Sequence, residues 1–203
     1  DSLPSDTFKT KVVRSIVLRM VGQYNYNDKR EEALKRYAKD SIMPPSYRTV
    51  IYKILLKTGD ESDYMMLKEK YEHVEDNALK KELLMCIGAT QNQDLRRQTL
   101  DWAISGEIKL QDFFYPISSV ANDAAGRDFT WSYFKENFDN IHRLLETGSP
   151  FLFGSAIGCS ACGFSSFEKA NDIEAFFREH PIERSSRRIE QIIEETRNDA
   201  EFK

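Results

Sequence analysis

Apolar residues recur at steps of three and four along nearly the whole chain, and no convincing run of alternating apolar and polar residues interrupts them. This spacing places apolar side chains on one face of an α-helix. The clearest early stripe comprises Phe8, Val12, Val13, Ile16, Val17 and Met20. The last one comprises Ile189, Ile192 and Ile193. Glycine and proline are scarce, at 9 and 6 of 203 residues, which disfavours turn-rich β folds. The sequence predicts an all-α protein.

The predicted helices come in pairs, with a new pair starting roughly every 30 to 35 residues, a period typical of repeat architectures. The starts lie near positions 6, 45, 77 and 110. We therefore expect an irregular α-solenoid of antiparallel helix pairs, a superhelix of the HEAT or armadillo kind that spans residues 1–203 as a single domain. The concave face of such an array binds extended ligands or partners, but the fold alone names neither.

Local signals predict several helix ends. Asp76 or Asn77 is suited to cap a helix start, and Ser165 with Glu168 forms a capping-box pattern. Gly59 is suited to a left-handed cap at the end of the helix that begins after Pro44. The predicted helices therefore have boundaries that the structure can test.

Charge and composition exclude several classes of function. The chain carries 29 basic and 33 acidic residues, so it lacks the basic excess with which nucleic-acid binders neutralise phosphates, and an anionic membrane surface is disfavoured too. No apolar run approaches the roughly 20 residues of a membrane span, so a soluble protein is expected. Three cysteines cannot all pair within the chain, which favours a reducing compartment. The start at Asp1, without an initiator methionine, leads us to expect a fragment.

The sequence contains none of the usual catalytic motifs. His73, His142 and His180 lie far apart, and the His-Glu-x-x-His pattern that binds zinc in metallopeptidases is absent. Neither a phosphate-binding glycine loop nor a nucleophile elbow occurs. We expect no metal site and a surface or packing role for each histidine.

Two clusters are ambiguous. Cys159 and Cys162 have redox-motif spacing, but no predicted strand precedes them, so core packing is favoured over redox or metal chemistry, as it is for Cys86. A second cluster, Arg184, Arg187 and Arg188, could meet a carboxylate or phosphate. Glutamates at helical spacing beside these arginines favour a solvated face instead.

Several segments form a familiar ordered set. They are residues 57–60, 66–71, 87–90, 102–108, 111–112, 126–138, 175–181 and 188–191. In the most distinctive segment, Trp131, Lys135 and Asn137 fall on one helix. The set resembles the C-terminal helical domain of gluzincin zinc aminopeptidases, nearest to the puromycin-sensitive and fungal alanine/arginine types.

The resemblance implies a non-catalytic part of a metallopeptidase that removes N-terminal residues from peptides. Such a domain caps the active site, forms the substrate chamber and contacts the distal part of the peptide. Its partners would be the peptide substrate and the catalytic domain of the same polypeptide. The zinc ion and the catalytic groups would belong to that upstream domain, so no catalytic residue is expected here.

For peptide contact the resemblance points to Arg127 and, more weakly, to Tyr115 and Asn122, in a stretch that matches a chamber-facing region of the family. A cation there could meet a peptide carboxylate. Alternatively, Arg127 pairs with Asp123 or Asp128 near a helix start. Trp131 is expected in the core rather than as a ligand platform.

Two positions depart from the family pattern. Ala89 stands where relatives of the endoplasmic-reticulum branch carry a basic residue, which favours the cytosolic branch and a cytoplasmic location. Phe202 stands where the family usually has tryptophan followed by another helix. The competing hypothesis is a free-standing HEAT-like scaffold that binds a protein partner.

Overall fold

A computed structural model describes residues 7–10, 12–13, 16–17, 20, 30–39, 45–146 and 148–202. The helices are α1 (Arg30–Tyr37), α2 (Pro45–Thr58), α3 (Glu61–His73), α4 (Asn77–Leu84), α5 (Gln93–Ile104), α6 (Phe114–Val120), α7 (Ala124–Glu136), α8 (Phe138–Glu146), α9 (Pro150–Ala161), α10 (Phe167–Glu179) and α11 (Ser186–Glu201). Short 3-10 turns lie at Ile87–Ala89 and Glu183–Ser185. No strand occurs in these described ranges, which confirms the all-α prediction. None of the helices found there is long and apolar enough to cross a bilayer.

The contacts divide the chain into two compact units, residues 1–96 and 97–203. In the first unit α1 packs on α2 and α3 on α4, whereas in the second α10 packs on α11 and α6 on α9. Three of these pairs join helices that are neighbours along the chain, as the paired spacing predicts. The superhelix and the single-domain organisation stay predictions.

The first unit is organised around α2, whose Tyr52, Leu55 and Leu56 are fully buried. Arg30 ties α1 to this core. Its Nη2 lies 2.7 Å from Oδ2 of the buried Asp63, and its Nη1 donates to the Leu55 carbonyl at 3.2 Å. A buried carboxylate needs such a partner, so the pair fixes α1 and α3 against the end of α2.

The prediction of a left-handed cap at Gly59 is wrong. Among the described residues only Gly106 and Gly163 have positive φ. A Cβ atom at Gly59 would instead overlap the Asp63 carboxylate and the Leu55 carbonyl oxygen. Glycine is needed there because α3 begins directly beside the end of α2. Close approach, rather than backbone handedness, explains the residue.

The N-terminal stripe is helical but exposed. Residues 8–10, 12–13, 16–17 and 20 have helical backbone, as predicted. The six apolar side chains that define the stripe are 40–82% exposed. The helical period therefore predicted the conformation of this segment correctly, but not the burial of its apolar face.

The second unit has a core rich in aromatic rings, centred on Trp131 of α7. Its ring stacks on Phe134 at a centroid distance of 5.7 Å and meets Phe176 of α10 edge-on at 5.4 Å. Such arrangements add to the free energy gained by burying the rings. The apolar stripe of α11 packs into the same cluster.

Helix boundaries in this unit follow local hydrogen bonds. Asn137 ends α7 and separates it from α8, and its side chain donates to the Tyr133 carbonyl at 3.0 Å. The α10 cap is Ser166 rather than Ser165, because the Ser166 hydroxyl accepts from the Lys169 amide at 3.1 Å. In the first unit, Asp76 caps α4 as predicted.

Candidate peptide-contacting site

The three residues predicted to contact peptide lie on one short segment. Tyr115 is in α6, Asn122 is in the turn that follows, and Arg127 is in the first turns of α7. Asp123 fixes the start of α7, because its Oδ1 accepts from the Gly126 amide at 2.7 Å. An aspartate at this position satisfies an amide that has no helical acceptor. The segment is therefore held in place by a cap close to Arg127.

Arg127 is half-buried, and no acid of the described ranges pairs with its charge. Among the described residues no ion pair includes it. The proposed partner Asp128 binds Lys169 instead, with 2.6 Å between Oδ1 and Nζ, and Asp123 is engaged as the cap. The alternative of an ion pair with Asp123 or Asp128 is therefore wrong.

The stem of Arg127 packs on the backbone of Gly163. A Cβ atom at that glycine, whose φ is +80°, would come within 3.2 Å of the Arg127 Cδ. A larger residue at position 163 would thus be strained by its backbone and would also displace the arginine. This contact restricts Arg127 without neutralising it.

Tyr115 and Asn122 are near Arg127 in the sequence, but within the described residues their side chains are not hydrogen-bonded to that of Arg127. The half-buried Tyr115 ring lies 4.4 Å from the ring of Phe114, and Asn122 is exposed. In the part of the chain that the structure describes, no hydrogen bond or ring contact links the three side chains. Their role in binding peptide stays a prediction.

Trp131 is a core residue, as predicted, and it belongs to a polar network that the sequence did not predict. Its indole nitrogen donates to Asp172 Oδ2 at 2.6 Å, and Lys135 Nζ lies 2.9 Å from both oxygens of the same carboxylate. Burial alone would raise the pKa of Asp172, but these hydrogen bonds and the lysine charges hold that pKa below its ordinary value of 3.8. The i,i+4 spacing of Trp131 and Lys135 was the available signal, because it places both on one helical face.

The histidines do not form a metal centre. His73 Nδ1 is 2.8 Å from the Glu69 carbonyl, His142 meets the ring of Phe153 edge-on, and His180 stacks on Phe176. No three potential ligands come together among the residues described.

The cysteines are free thiols in packed surroundings. Burial raises the pKa of Cys86 to about 12 and that of Cys159 to about 11. Cys162 caps α9 and its sulfur accepts from Arg188 Nη2 at 3.2 Å. Because the thiolate is the reactive form, burial works against redox chemistry at this pair.

The amino-acid sequence matches the family model described as the ERAP1-like C-terminal domain over residues 1–198. The chain belongs to this family. The resemblance noted from its ordered segments is thereby confirmed.

The relatives of this ERAP1-like C-terminal domain are aminopeptidases. The chain is 23% identical over 190 residues to the alanine/arginine aminopeptidase of Saccharomyces cerevisiae, covering 94% of the chain and 21% of the relative. It is 25% identical over 192 residues to aminopeptidase M1 of Arabidopsis thaliana, covering 90% and 21%. It is 25% identical over 193 residues to endoplasmic reticulum aminopeptidase 2 of Bos taurus, covering 92% and 20%.

The chain thus spans about a fifth of the length of these curated relatives. The similarity therefore covers one part of each of these longer relatives. Because the relatives include both the fungal and the endoplasmic-reticulum types at similar identity, the cytoplasmic location stays a prediction.

Proposed function

We propose that this domain is the non-catalytic helical part of a zinc-dependent aminopeptidase, in which it caps the active site, shapes the substrate chamber and contacts the distal part of the peptide. One observation carries the proposal: the match to the C-terminal domain family extends over residues 1–198, and relatives named as aminopeptidases align with 90–94% of the chain. The zinc ion and the groups that cleave the peptide bond would be supplied by another domain of the same polypeptide.

Within this proposal Arg127 binds the carboxylate of a peptide. Its charge is unpaired by acids among the described residues, it is half-buried, and Gly163 restricts its stem. A charge-assisted hydrogen bond at such a site contributes about 1.5–3 kcal/mol, enough to matter for a weakly held peptide. Tyr115 and Asn122 would contribute polar contacts on the same segment.

The binding step can be tested on the 203-residue chain with fluorescent peptides of graded length that end in a free carboxylate or a carboxamide. We expect the carboxylate peptides to bind more tightly, and Arg127→Gln to weaken them about tenfold, the effect of about 1.4 kcal/mol. The matched control is Arg143→Gln, which removes an exposed arginine of α8 in the same unit. Equal binding by both variants would contradict the role of Arg127.

The proposed role in an aminopeptidase can be tested separately from peptide binding. In the full natural polypeptide, Arg127→Gln should raise KM for long peptides while leaving the hydrolysis of aminoacyl amides unchanged, because a small substrate does not reach the distal contact. The 203-residue chain alone should neither turn over such amides nor bind zinc stoichiometrically. Turnover by the chain alone would overturn the proposal.

A second candidate function is a free-standing scaffold, favoured by the exposed apolar stripe of residues 8–20, which offers a protein-binding surface. The natural reading frame separates the two candidates. A region containing His-Glu-x-x-His upstream of Asp1 supports the aminopeptidase, and a frame without one supports the scaffold.

A further inference from the structure

A groove of about 640 Å³ lies in the second unit, between α9 and the start of α11. Its apolar wall is formed by the rings of Phe114 and Phe151, together with Gly154 of α9. A Cβ atom at Gly154 would meet nothing within 4 Å, so the space beside this glycine is open. The volume falls in the range of small-molecule sites.

Cationic side chains also line the groove. Arg184, Arg187 and Arg188 all line it. Arg184 and Arg187 are exposed, as the predicted solvated face requires, and Arg188 is half-buried. Arg184 and Arg187 have no ion-pair partner among the described residues. Arg188 approaches Glu195 only at 4.0 Å, and its guanidinium lies over Gly158 on the groove wall. Arg188 Nη2 also donates to the Cys162 sulfur at 3.2 Å, so the charges left for another anion are mainly those of Arg184 and Arg187.

Ser185 provides an independent indication of a ligand. It also lines the groove, it is only 4% exposed, and its Oγ has no hydrogen-bond partner within the described part of the chain. Ser185 is the N-cap residue of α11, yet its side chain makes no capping hydrogen bond. A buried hydroxyl without a partner costs free energy, and an unpaired donor at this place is suited to an anionic acceptor.

The start of α11 adds to the positive potential. This helix runs for 16 residues, and the amides of its first turn carry a partial positive charge. The helix terminus, the three guanidinium groups and the hydroxyl all favour a negatively charged ligand. The rings of Phe114 and Phe151 line the same groove. The combination fits a ligand with an oxyanion at one end and an apolar body at the other.

We propose that this groove binds an amphiphilic carboxylate, with the carboxylate held by Arg184, Arg187 and the Ser185 hydroxyl and the apolar body held between Phe114, Phe151 and Gly154. Planar guanidinium groups pair well with carboxylates, and the apolar wall rewards an alkyl or aryl group. The site shares none of its proposed ligand-binding residues with the Arg127 segment. It does not rest on the proposed aminopeptidase function.

Calorimetric titration of the 203-residue chain with octanoate and with N-acetylphenylalanine tests the proposal. The first represents a free amphiphile and the second a chain terminus, so the preferred arm indicates the source of the ligand. We expect at least one to bind with an affinity that falls as salt is added. Acetate lacks the apolar body and N-acetylphenylalaninamide lacks the charge, and both should bind at least about tenfold more weakly, one such step being 1.4 kcal/mol.

Variants locate the binding. Arg184→Gln and Arg187→Gln should each weaken the better probe about tenfold, the usual scale for a lost charge-assisted hydrogen bond. Gly154→Leu should abolish binding by filling the groove. Ser185→Ala should weaken binding without lowering the melting temperature, which separates a ligand contact from a structural role. Arg143→Gln is the control and should change nothing.

Two results would overturn the proposal. One is the absence of binding by either carboxylate at concentrations of several millimolar, the weak end of specific recognition. The other is binding that survives both arginine variants and Gly154→Leu, since the ligand would then lie elsewhere. Circular dichroism of each variant, compared with the parent chain, verifies that a loss of binding is not a loss of fold.

Discussion

The two apolar stripes at opposite ends of the chain obey the same spacing and differ in burial. Ile16, in the N-terminal stripe, is 41% exposed, whereas Ile192 of α11 is 1% exposed. Ile192 belongs to the aromatic core around Trp131, which contains buried residues of α5 to α10 and the stripe of α11. The comparison shows that the period of a helix determines which side chains share a face, while burial of that face depends on what other elements pack against it.

The most direct test of this difference in burial truncates the same residue type in each stripe. Ile192→Ala should lower the free energy of unfolding by about 2–5 kcal/mol, because it leaves a cavity in a packed core. Ile16→Ala should change it by less than about 0.5 kcal/mol, as is usual for exposed sites. Urea denaturation of both variants measures the difference. A large loss for Ile16→Ala would mean that the N-terminal stripe is buried.

The reactivity of cysteine thiols provides a second test of the difference in burial between the N-terminal stripe and the second unit. Because burial raises the pKa of Cys159 to about 11 from an ordinary value of 9.0, its thiolate population at pH 8 is about 100-fold below that of an ordinary thiol. Alkylation by iodoacetamide should therefore be about 100-fold slower in the native chain than in urea. A cysteine introduced by Val13→Cys should react at nearly the same rate in both states, since Val13 is exposed. Mass spectrometry separates the two sites.

A third test removes the polar partner of the core tryptophan. Asp172→Ala leaves the buried indole N–H of Trp131 without an acceptor and should cost about 1–3 kcal/mol of stability. Asp172→Asn keeps an acceptor oxygen and should cost about 1 kcal/mol or less, because the ion pair with Lys135 is partly exposed. Equal costs would show that the charge, not the hydrogen bond to the indole, matters most.

The Asp172 network also has a pH dependence of known sign. Its pKa is lower in the folded state, so the ionised carboxylate stabilises the fold above the unfolded pKa, and this contribution is lost as the pH falls through the folded value. The stability difference between the parent chain and Asp172→Asn should be constant near pH 6, where both states are ionised, and shrink below pH 3.8. A difference that grows on acidification would contradict the lowered pKa.

The smallest expected effect is an increase in stability. Gly154→Ala should raise the stability of α9 by about 0.5–1 kcal/mol, because alanine reduces the entropy lost on helix formation and its Cβ atom meets no neighbour. Gly158→Ala should gain less, since a Cβ atom there lies 3.3 Å from Arg188 Nη2. Thermal unfolding monitored by circular dichroism compares them. Equal gains would indicate that Arg188 moves freely.

The sequence predicted the helices better than it predicted the contacts between them. Helical spacing identified the stripes of residues 8–20 and of α11, and the Asp76 cap follows from a rule that acts over a few residues. The partner of Trp131, by contrast, is 41 residues away, and Ser185 meets the groove only because α11 starts beside α9. Arg127 was found through resemblance, and its freedom from Asp128 depends on Lys169 of another helix. Contacts between distant segments carry no local signal.

The full or partial burial of the three thiols has a consequence for their reactivity. Three cysteines favour a reducing compartment when only their number is known. In the fold, however, Cys86 is fully enclosed, and burial raises the pKa values of Cys159 and Cys162. Because the thiolate is the form that attacks a disulfide, the raised pKa values slow the exchange of these thiols with disulfides. At neutral pH the packing of this domain therefore keeps its three sulfur atoms mainly in the protonated form, which is the less reactive one.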